Sequence, residues 1–491
     1  MILKNRRKTK IICTLGPSTD DENVLRQLMI RGMDVARINM SHQTQDAQRV
    51  RINMVKKIRD ELSLPVALLL DTKGPEIRTG VFQEDKVNLV EGQKFTLTTR
   101  SIVGDNTISS ISYKDLPGDV KKGTKILLDD GLIALKVDDV SETEIYCTVI
   151  NGGVLSAKKG INVPNIRLSM PFISPKDQCD LKFAVEEGFD FIAASFTRSH
   201  HDIMLMRDEL SKLGGDYIKI IAKIENYDGV HNIDKIIDAA DGIMVARGDL
   251  GVEVAMEDIP VLQKELIKKV YDAGKQVVTA TQMLDSMVKN PRPTRAETTD
   301  VANAIYDGTS AIMLSAETAA GKYPVAALTT MDRIARRTEL DIDYVKRFKK
   351  RDVEGSPNIT LAISHATCTT AHDLDATAIV TVTKSGKTAR MISKYRPSCP
   401  IIAGTTKDYV MRQLNMSWGV IPILINEKTS TDELFDHVIQ VSEQNELLKM
   451  GDLVVITAGI PLGTSGTTNL LKVHLVGKYY ETPDGNFKMY I

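Results

Sequence analysis

Apolar residues along this chain gather in short runs, each closed by a polar or charged residue and followed by a stretch of helical spacing. The segment 220–253 shows the pattern most clearly. Two apolar runs, 218–224 and 242–246, are each long enough for a buried strand. Between them, 229–240 places Val230, Ile233, Ile236 and Ile237 at helical intervals. The first run ends in Lys223, Glu225 and Asn226, the second in Arg247 and Asp249. Strand–helix–strand order therefore brings an ammonium and two carboxylates to the carboxyl ends of neighbouring parallel strands. Ligands bind at that edge in parallel α/β architectures.

The same rhythm starts at 10–15, where Gly16-Pro17-Ser18 closes a strand and Ser18 or Thr19 is expected to cap a helix through Arg31. Strands at 34–38 and 65–70 flank a helix at 44–62. The rhythm then breaks: 73–167 is rich in Val, Ile, Thr and Gly with frequent turn pairs, which predicts an inserted all-β domain. Leaving after the third strand, on the ligand-binding face, it is placed to act as a lid. Alternation resumes at 175–188 and runs through strands at 189–194, 218–224, 242–246, 276–280 and 311–314 to a helix at 324–339. About eight strand–helix pairs give the count of a closed (β/α)8 TIM barrel. The polar run 341–356 reads as a linker. Strands at 378–382, 401–405, 420–424 and 452–457 then alternate with helices, predicting a C-terminal α/β domain with a mainly parallel sheet. The expected partition is barrel 1–72 and 168–342, lid 73–167, C-terminal domain 343–476 and tail 477–491.

Composition narrows the function. A chain of 491 residues exceeds one core, and a formal net charge of −1 with few aromatics offers no nucleic-acid surface. The basic run 4–10 reads as a solvated arm, with Lys8 and Lys10 as candidates to line the first strand. Cys13, Cys147, Cys179, Cys368 and Cys399 are scattered without CxxC spacing, which fits a reducing compartment and no structural zinc. No signal peptide or bilayer-spanning apolar stretch is visible, so a soluble, cytoplasmic protein with no membrane partner is expected.

If the barrel reading holds, polar residues should interrupt the apolar pattern at strand ends. Arg37, Asn39 and Ser41 follow the second strand, Asp71 and Thr72 the third, and Ser195 the fourth. Lys223 and Glu225 mark the fifth, Asp249 the sixth, Thr281 and Gln282 the seventh, Ser315 and Glu317 the eighth. These types suit phosphoryl transfer. Glu225 and Asp249 can hold Mg2+ (or Mn2+) while phosphate and water complete its octahedron. Arg37, Arg78 and Lys223 can spread over phosphate oxygens as charge moves in the transition state. Gly248 and Asp249 open a helix with free N–H groups, and Thr281 puts a hydroxyl where the reacting carbon is expected.

The motifs CTLGPS (13–18), RINMSH (37–42), DTKGPEIRTG (71–80), KIEN (223–226), MVARGDLG (244–251), ATQML (280–284) and PRPTRAE (291–297) resemble pyruvate kinase, in order and up to about Val476. The resemblance implies transfer of phosphate from phosphoenolpyruvate to ADP, giving pyruvate and ATP. It implies that Arg37 and Lys223 contact the transferring phosphate, that Glu225 and Asp249 hold the divalent metal, and that Gly248, Asp249 and Thr281 hold substrate. Asn39, Ser41, Asp71 and Thr72 would hold K+, with Asn39, His42, Arg78 and Lys176 on the nucleotide side. Family members that work without K+ tend to carry Lys where this chain has Glu76. A homotetramer is implied by resemblance alone.

In the C-terminal domain, Thr383-Lys384-Ser385-Gly386-Lys387-Thr388 follows a strand and opens a helix, offering hydroxyls, N–H groups and two lysines to one anion. With the loop 463–468 it resembles the site at which allosteric pyruvate kinases hold a phosphorylated effector. Ser385–Thr388 is no Walker motif, because position 381 is Thr where the pattern needs Gly. His200-His201 lacks metal-ligand spacing and reads as surface, and Trp418 reads as packing. Rival readings are a metal-dependent lyase acting on the same enolate and an inactive sugar-phosphate sensor. The lysine two residues before Glu225 argues against the first, and the intact strand-end set against the second.

Overall fold

The computed structural model describes all residues except 1–5, 351–357, 462–467, 478–479, 482–486 and 489–491. Eight parallel strands close a barrel: Lys10–Thr14, Val35–Asn39, Ala67–Asp71, Phe191–Ala194, Lys219–Ile224, Gly242–Ala246, Gln276–Ala280 and Ala311–Leu314. Each strand is apolar on both faces, as a sheet buried on both sides requires. Alternate residues divide between two cores. Ile11, Leu68, Leu70, Ile220 and Ala222 face the surrounding helices, while Ile12, Val35, Leu69, Phe191, Ile221 and Met244 fill the barrel interior. This period of two places Thr14, Arg37, Asp71, Ser195 and Lys223 on the inward side at the strand ends.

The lid enters after Asp71 and returns before the helix Pro175–Glu186. Its seven-stranded sheet has its own core, centred on Phe95, Leu97, Ile126, Leu128, Leu135 and Ile145. The C-terminal sheet runs Val420–Leu424, Ile401–Thr405, Ala378–Val382, Leu453–Gly459 and Thr468–Leu475. The last strand is antiparallel and was not expected from the sequence. Apart from Thr468 its residues are exposed or half-buried, so its apolar pattern is weak.

This domain docks under the amino-terminal end of the barrel. Met416 is fully buried within the barrel's inner core. Arg412 pairs with buried Asp190 at 2.9 Å, and Asn415 donates to the Asp34 carbonyl at 3.0 Å. The structure changes two expectations here and bears out a third. Residues 7–10 are not a solvated arm: Arg7 pairs with Asp34 and Asp332, Lys8 donates to the Ser398 carbonyl, and Lys10 to that of Val420. The expected linker contains a helix, Tyr344–Lys349, because Tyr344 and Phe348 pack on Trp418 and Tyr395. Trp418 is indeed a packing residue, 3% exposed, with the Arg396 guanidinium 4.8 Å from its ring. Two local readings also change. Asp21, rather than Ser18 or Thr19, caps the helix Glu22–Ile30. The helical stretch 229–240 is two helices, Tyr227–His231 and Ile233–Ala239, meeting at Asn232.

Candidate active site

Lys223 sits at the centre of the upper barrel layer. Its Nζ donates to Ser195 Oγ at 2.8 Å and Asp71 Oδ1 at 3.1 Å, and lies 2.8 Å from Glu225 Oε1. Burial alone would lower its pKa, but the charges of Asp71 and Glu225 outweigh burial and hold it above the usual lysine range. Arg37, on the same layer, donates to Asp71 Oδ2 at 2.7 Å and to Thr14 Oγ1 at 2.9 Å. Burial would raise the pKa of Asp71, yet Arg37 and Lys223 keep it below the ordinary aspartate value. Asp71 is thus a fixed anion that orients two cations toward the cleft.

Glu225 is fully buried. Its Oε2 accepts the Phe196 N–H at 2.6 Å, while Oε1 has the Lys223 charge nearby but no hydrogen bond of good geometry. Burial and the like charge of Asp249, against the pull of Lys223, push its pKa up to about 7. A buried carboxylate oxygen that is ion-paired but lacks a well-formed hydrogen bond, near a second carboxylate, is a donor set that suits a divalent metal. Among the described residues no cluster of three or more acidic, histidine or cysteine side chains could hold a metal. Two protein carboxylates leave the other positions to substrate and water oxygens, which suits Mg2+.

Asp249 lies on the short helix Arg247–Glu253. The Gly248 N–H is already taken by Thr281 Oγ1 at 2.8 Å, so these two expected substrate contacts form one unit. Thr281 and Gln282 both adopt left-handed backbone, at φ 65 and 54. For a β-branched residue that costs roughly 1–2 kcal/mol. Arg247 holds the turn, donating to the Thr281 carbonyl at 2.7 Å and pairing with Asp300 at 2.7 Å.

Asn39 and Asp71 are neighbours in register on the second and third strands, and the Asn39 side chain accepts the Ser41 N–H at 3.0 Å. Thr72 lies beside them, its hydroxyl accepting the Ser195 N–H at 3.1 Å. The set is oxygen-only with one formal charge, which fits a weakly hydrated monovalent cation. Gly74 lets the lid's first connection pass over this loop: a Cβ there would come within 2.9 Å of Ser195 Cβ, at a φ of 68.

The residues expected on the nucleotide side are spread more widely. His42 is exposed. Lys176 is paired with Asp180, which also accepts from Gln45, so it is tied to the segment next to His42. Arg78 pairs with Glu76 and donates to the Lys158 carbonyl. In the C-terminal domain, Thr388 and Thr468 hydroxyls meet at 2.8 Å, and Gly386 opens the helix Lys387–Lys394 at φ 78 with no side-chain cap. Thr383 is buried, Lys384 and Lys387 are exposed, and Arg390 donates to the Ser385 carbonyl at 3.3 Å. Residues 463–467 of the companion loop lie outside the described residues.

Sequence reasoning missed three participants. Thr14 ends the first strand and was open to the strand-end rule. Arg247 was visible as a charge but not as the brace of Thr281. The Phe196 N–H carries no side-chain signal at all.

Residues 6–328 match the family model described as "Pyruvate kinase, barrel domain", and 361–474 match "Pyruvate kinase, alpha/beta domain". A protein named pyruvate kinase from Clostridium acetobutylicum is 50% identical over 96% of this chain and all of its own length. One of the same name from Geobacillus stearothermophilus is 50% identical over 96% of this chain and 81% of its own. Another, from Clostridium perfringens, is 46% identical over 96% of this chain and all of its own.

Proposed function

The chain belongs to the pyruvate kinase family, and from that premise we propose how its residues carry the reaction. The protein is a phosphotransferase that moves the phosphoryl group of phosphoenolpyruvate to ADP, giving pyruvate and ATP in glycolysis. The observation that carries the assignment of roles is the Arg37–Asp71–Lys223–Glu225 cluster, two oriented cations and a buried, ion-paired carboxylate at the mouth of the barrel.

Arg37 and Lys223 donate to the oxygens of the phosphoryl group in flight, and Asp71 keeps both aimed and charged. Preorganised cations of this kind stabilise charge that the transition state redistributes. Glu225 and Asp249 hold the divalent ion, which supplies Lewis-acid polarisation of substrate oxygens when bound. The Gly248 N–H and the Thr281 hydroxyl exchange their mutual hydrogen bond for contacts to the substrate. Asn39, Ser41, Asp71 and Thr72 hold K+. Asn39, His42, Arg78 and Lys176 receive the nucleotide, for which Arg78 must leave Glu76.

The chain divides into a barrel (1–72 and 168–342), a lid (73–167), a regulatory domain (343–476) and a tail (477–491). Thr383–Thr388 takes a phosphorylated effector, and the enzyme works as a cytoplasmic homotetramer. Among the described residues no helix is long and apolar enough to cross a membrane. The test is a coupled assay of pyruvate from phosphoenolpyruvate and ADP with Mg2+ and K+, on wild type and Lys223→Met. ADP-independent pyruvate release, or full activity in the variant, would remove these roles.

A further inference from the structure

The lid returns to the barrel through a strap, residues 163–173, that changes allegiance along its length. Ile166, Leu168 and Met170 pack on the lid core, whereas Phe172 is buried in the core around the barrel. Between these anchorages the strap borders open space. Cavities of about 270 and 770 Å3 share Arg167, Leu168, Met170 and Arg198 as a common wall. Alongside these apolar anchors, polar ties reach the strap from both the barrel and the lid.

Those ties grip three consecutive residues from two sides. Arg198 Nη1, from the barrel, donates to the carbonyls of Leu168 at 3.3 Å and Met170 at 3.1 Å. Ser169, between them, donates its N–H and hydroxyl to Asp119 of the lid at 3.0 and 2.9 Å. Tyr113 donates to the same Asp119 at 2.8 Å.

Arg198 ends a loop that leads straight into the active site, and every residue of that loop is pinned. Ser195 donates to Asp71 and receives Lys223. The Phe196 N–H donates to Glu225 from a left-handed backbone at φ 54. Thr197 Oγ1 donates to the Ala194 carbonyl at 2.9 Å. The Arg198 N–H donates to Asp202 at 2.9 Å, and Asn232 donates to the Arg198 carbonyl at 3.0 Å. The loop is thus held at each position, and the strap carbonyls are among the ties that hold its last side chain. A non-glycine Phe196 at φ 54 keeps this disfavoured conformation only because the surrounding ties hold it there.

We propose that Arg198 is a positioning residue that couples the lid to the metal carboxylate: the position of the strap at 168–170 sets how the Phe196 N–H presents Glu225 to the divalent ion. A lid that swings out takes the Leu168 and Met170 carbonyls off the Arg198 guanidinium; with those ties gone the 195–198 loop loosens and the Phe196 N–H loses its alignment with Glu225 Oε2. The proposal rests on the reading that Glu225 holds the metal.

The test measures Mn2+ binding to the full chain by electron paramagnetic resonance without substrates, together with hydrogen exchange across 163–173 and 195–198. Arg198→Met should speed exchange in both segments and raise the Mn2+ Kd by about tenfold, as loss of a group that orients a ligand does. Arg198→Lys, which keeps one donor, should recover part of that affinity. Asp119→Asn, on the lid side, should weaken Mn2+ binding in the same direction, and it decides alone if Arg198→Met fails to fold. Turnover at saturating metal should stay within about threefold, so the effect falls on metal activation rather than on kcat. An Mn2+ Kd equal to wild type in a variant whose strap exchanges faster overturns the coupling. Wild-type Mn2+ binding in Glu225→Gln overturns the metal assignment itself, and the coupling with it.

Discussion

Lys223 Nζ lies 2.8 Å from Glu225 Oε1, yet that oxygen accepts no well-formed hydrogen bond. The donors of Lys223 are directed at Ser195 and Asp71 instead. One charge thus steadies the Asp71 anchor while remaining close enough to act on a bound phosphate. Lys223→Met should reduce kcat by about 10²–10³, as removal of a preorganised electrostatic group does. The KM for phosphoenolpyruvate should change far less. Steady-state kinetics at saturating metal check this, and an unchanged kcat refutes the role.

The pKa of Glu225, raised from the ordinary 4.5 to about 7, sets a pH window. The folded protein binds this proton more tightly than the unfolded chain. The resulting stability is full below 4.5 and is lost as pH rises through about 7. Metal-free protein should therefore lose stability across that interval in urea titrations with a chelator present, and Glu225→Gln should flatten the slope. A divalent ion competes for the same oxygens, so its apparent affinity should rise over the same window.

A potassium requirement follows from the Asn39, Ser41, Asp71 and Thr72 oxygens. Glu76, paired with Arg78 and 4.0 Å from Lys73, adds no cation to replace the ion. Activity should be low in buffer free of Na+ and K+ and restored by K+. Glu76→Lys should lessen that dependence. Full activity without a monovalent cation would sink the assignment.

An effector at Thr383–Thr388 should lower the apparent KM for phosphoenolpyruvate, a coupling of roughly 1–3 kcal/mol. Calorimetry with fructose 1,6-bisphosphate, ribose 5-phosphate and AMP should find one that binds, and Thr383→Ala/Ser385→Ala should abolish it. Binding that survives the double substitution removes this loop from the effector site.

Met416 tests the docking of the two domains. It is fully buried in the barrel's inner core although it belongs to the C-terminal domain. Met416→Ala should destabilise the protein by about 2–5 kcal/mol through the cavity it leaves. The midpoint of urea unfolding should fall accordingly. A midpoint equal to wild type would mean that the plug contributes little.

The chain's local pattern determined much of this protein. Apolar runs in register with a helical period dictate strand–helix units, because burial on both faces of a parallel sheet leaves no polar position except at strand ends. For the same reason Arg37, Asp71, Lys223 and Glu225 could be picked out before any coordinates. A period of two even fixes that Lys223 shares the inward side of Ile221.

Tertiary structure decided which atoms meet. The Phe196 N–H on Glu225 is a backbone donor, so no residue type announces it. That Arg78 is paired with Glu76 in this state is likewise a matter of which side chains meet. The basic run looked solvated because its partners are remote: Lys10 donates to a carbonyl at Val420, and Arg7 to a carboxylate at Asp332. The edge strand Thr468–Leu475 and the helix Tyr344–Lys349 were missed for the same reason. Their apolar residues make sense only against surfaces supplied by other segments, and such surfaces exist only once the chain has folded.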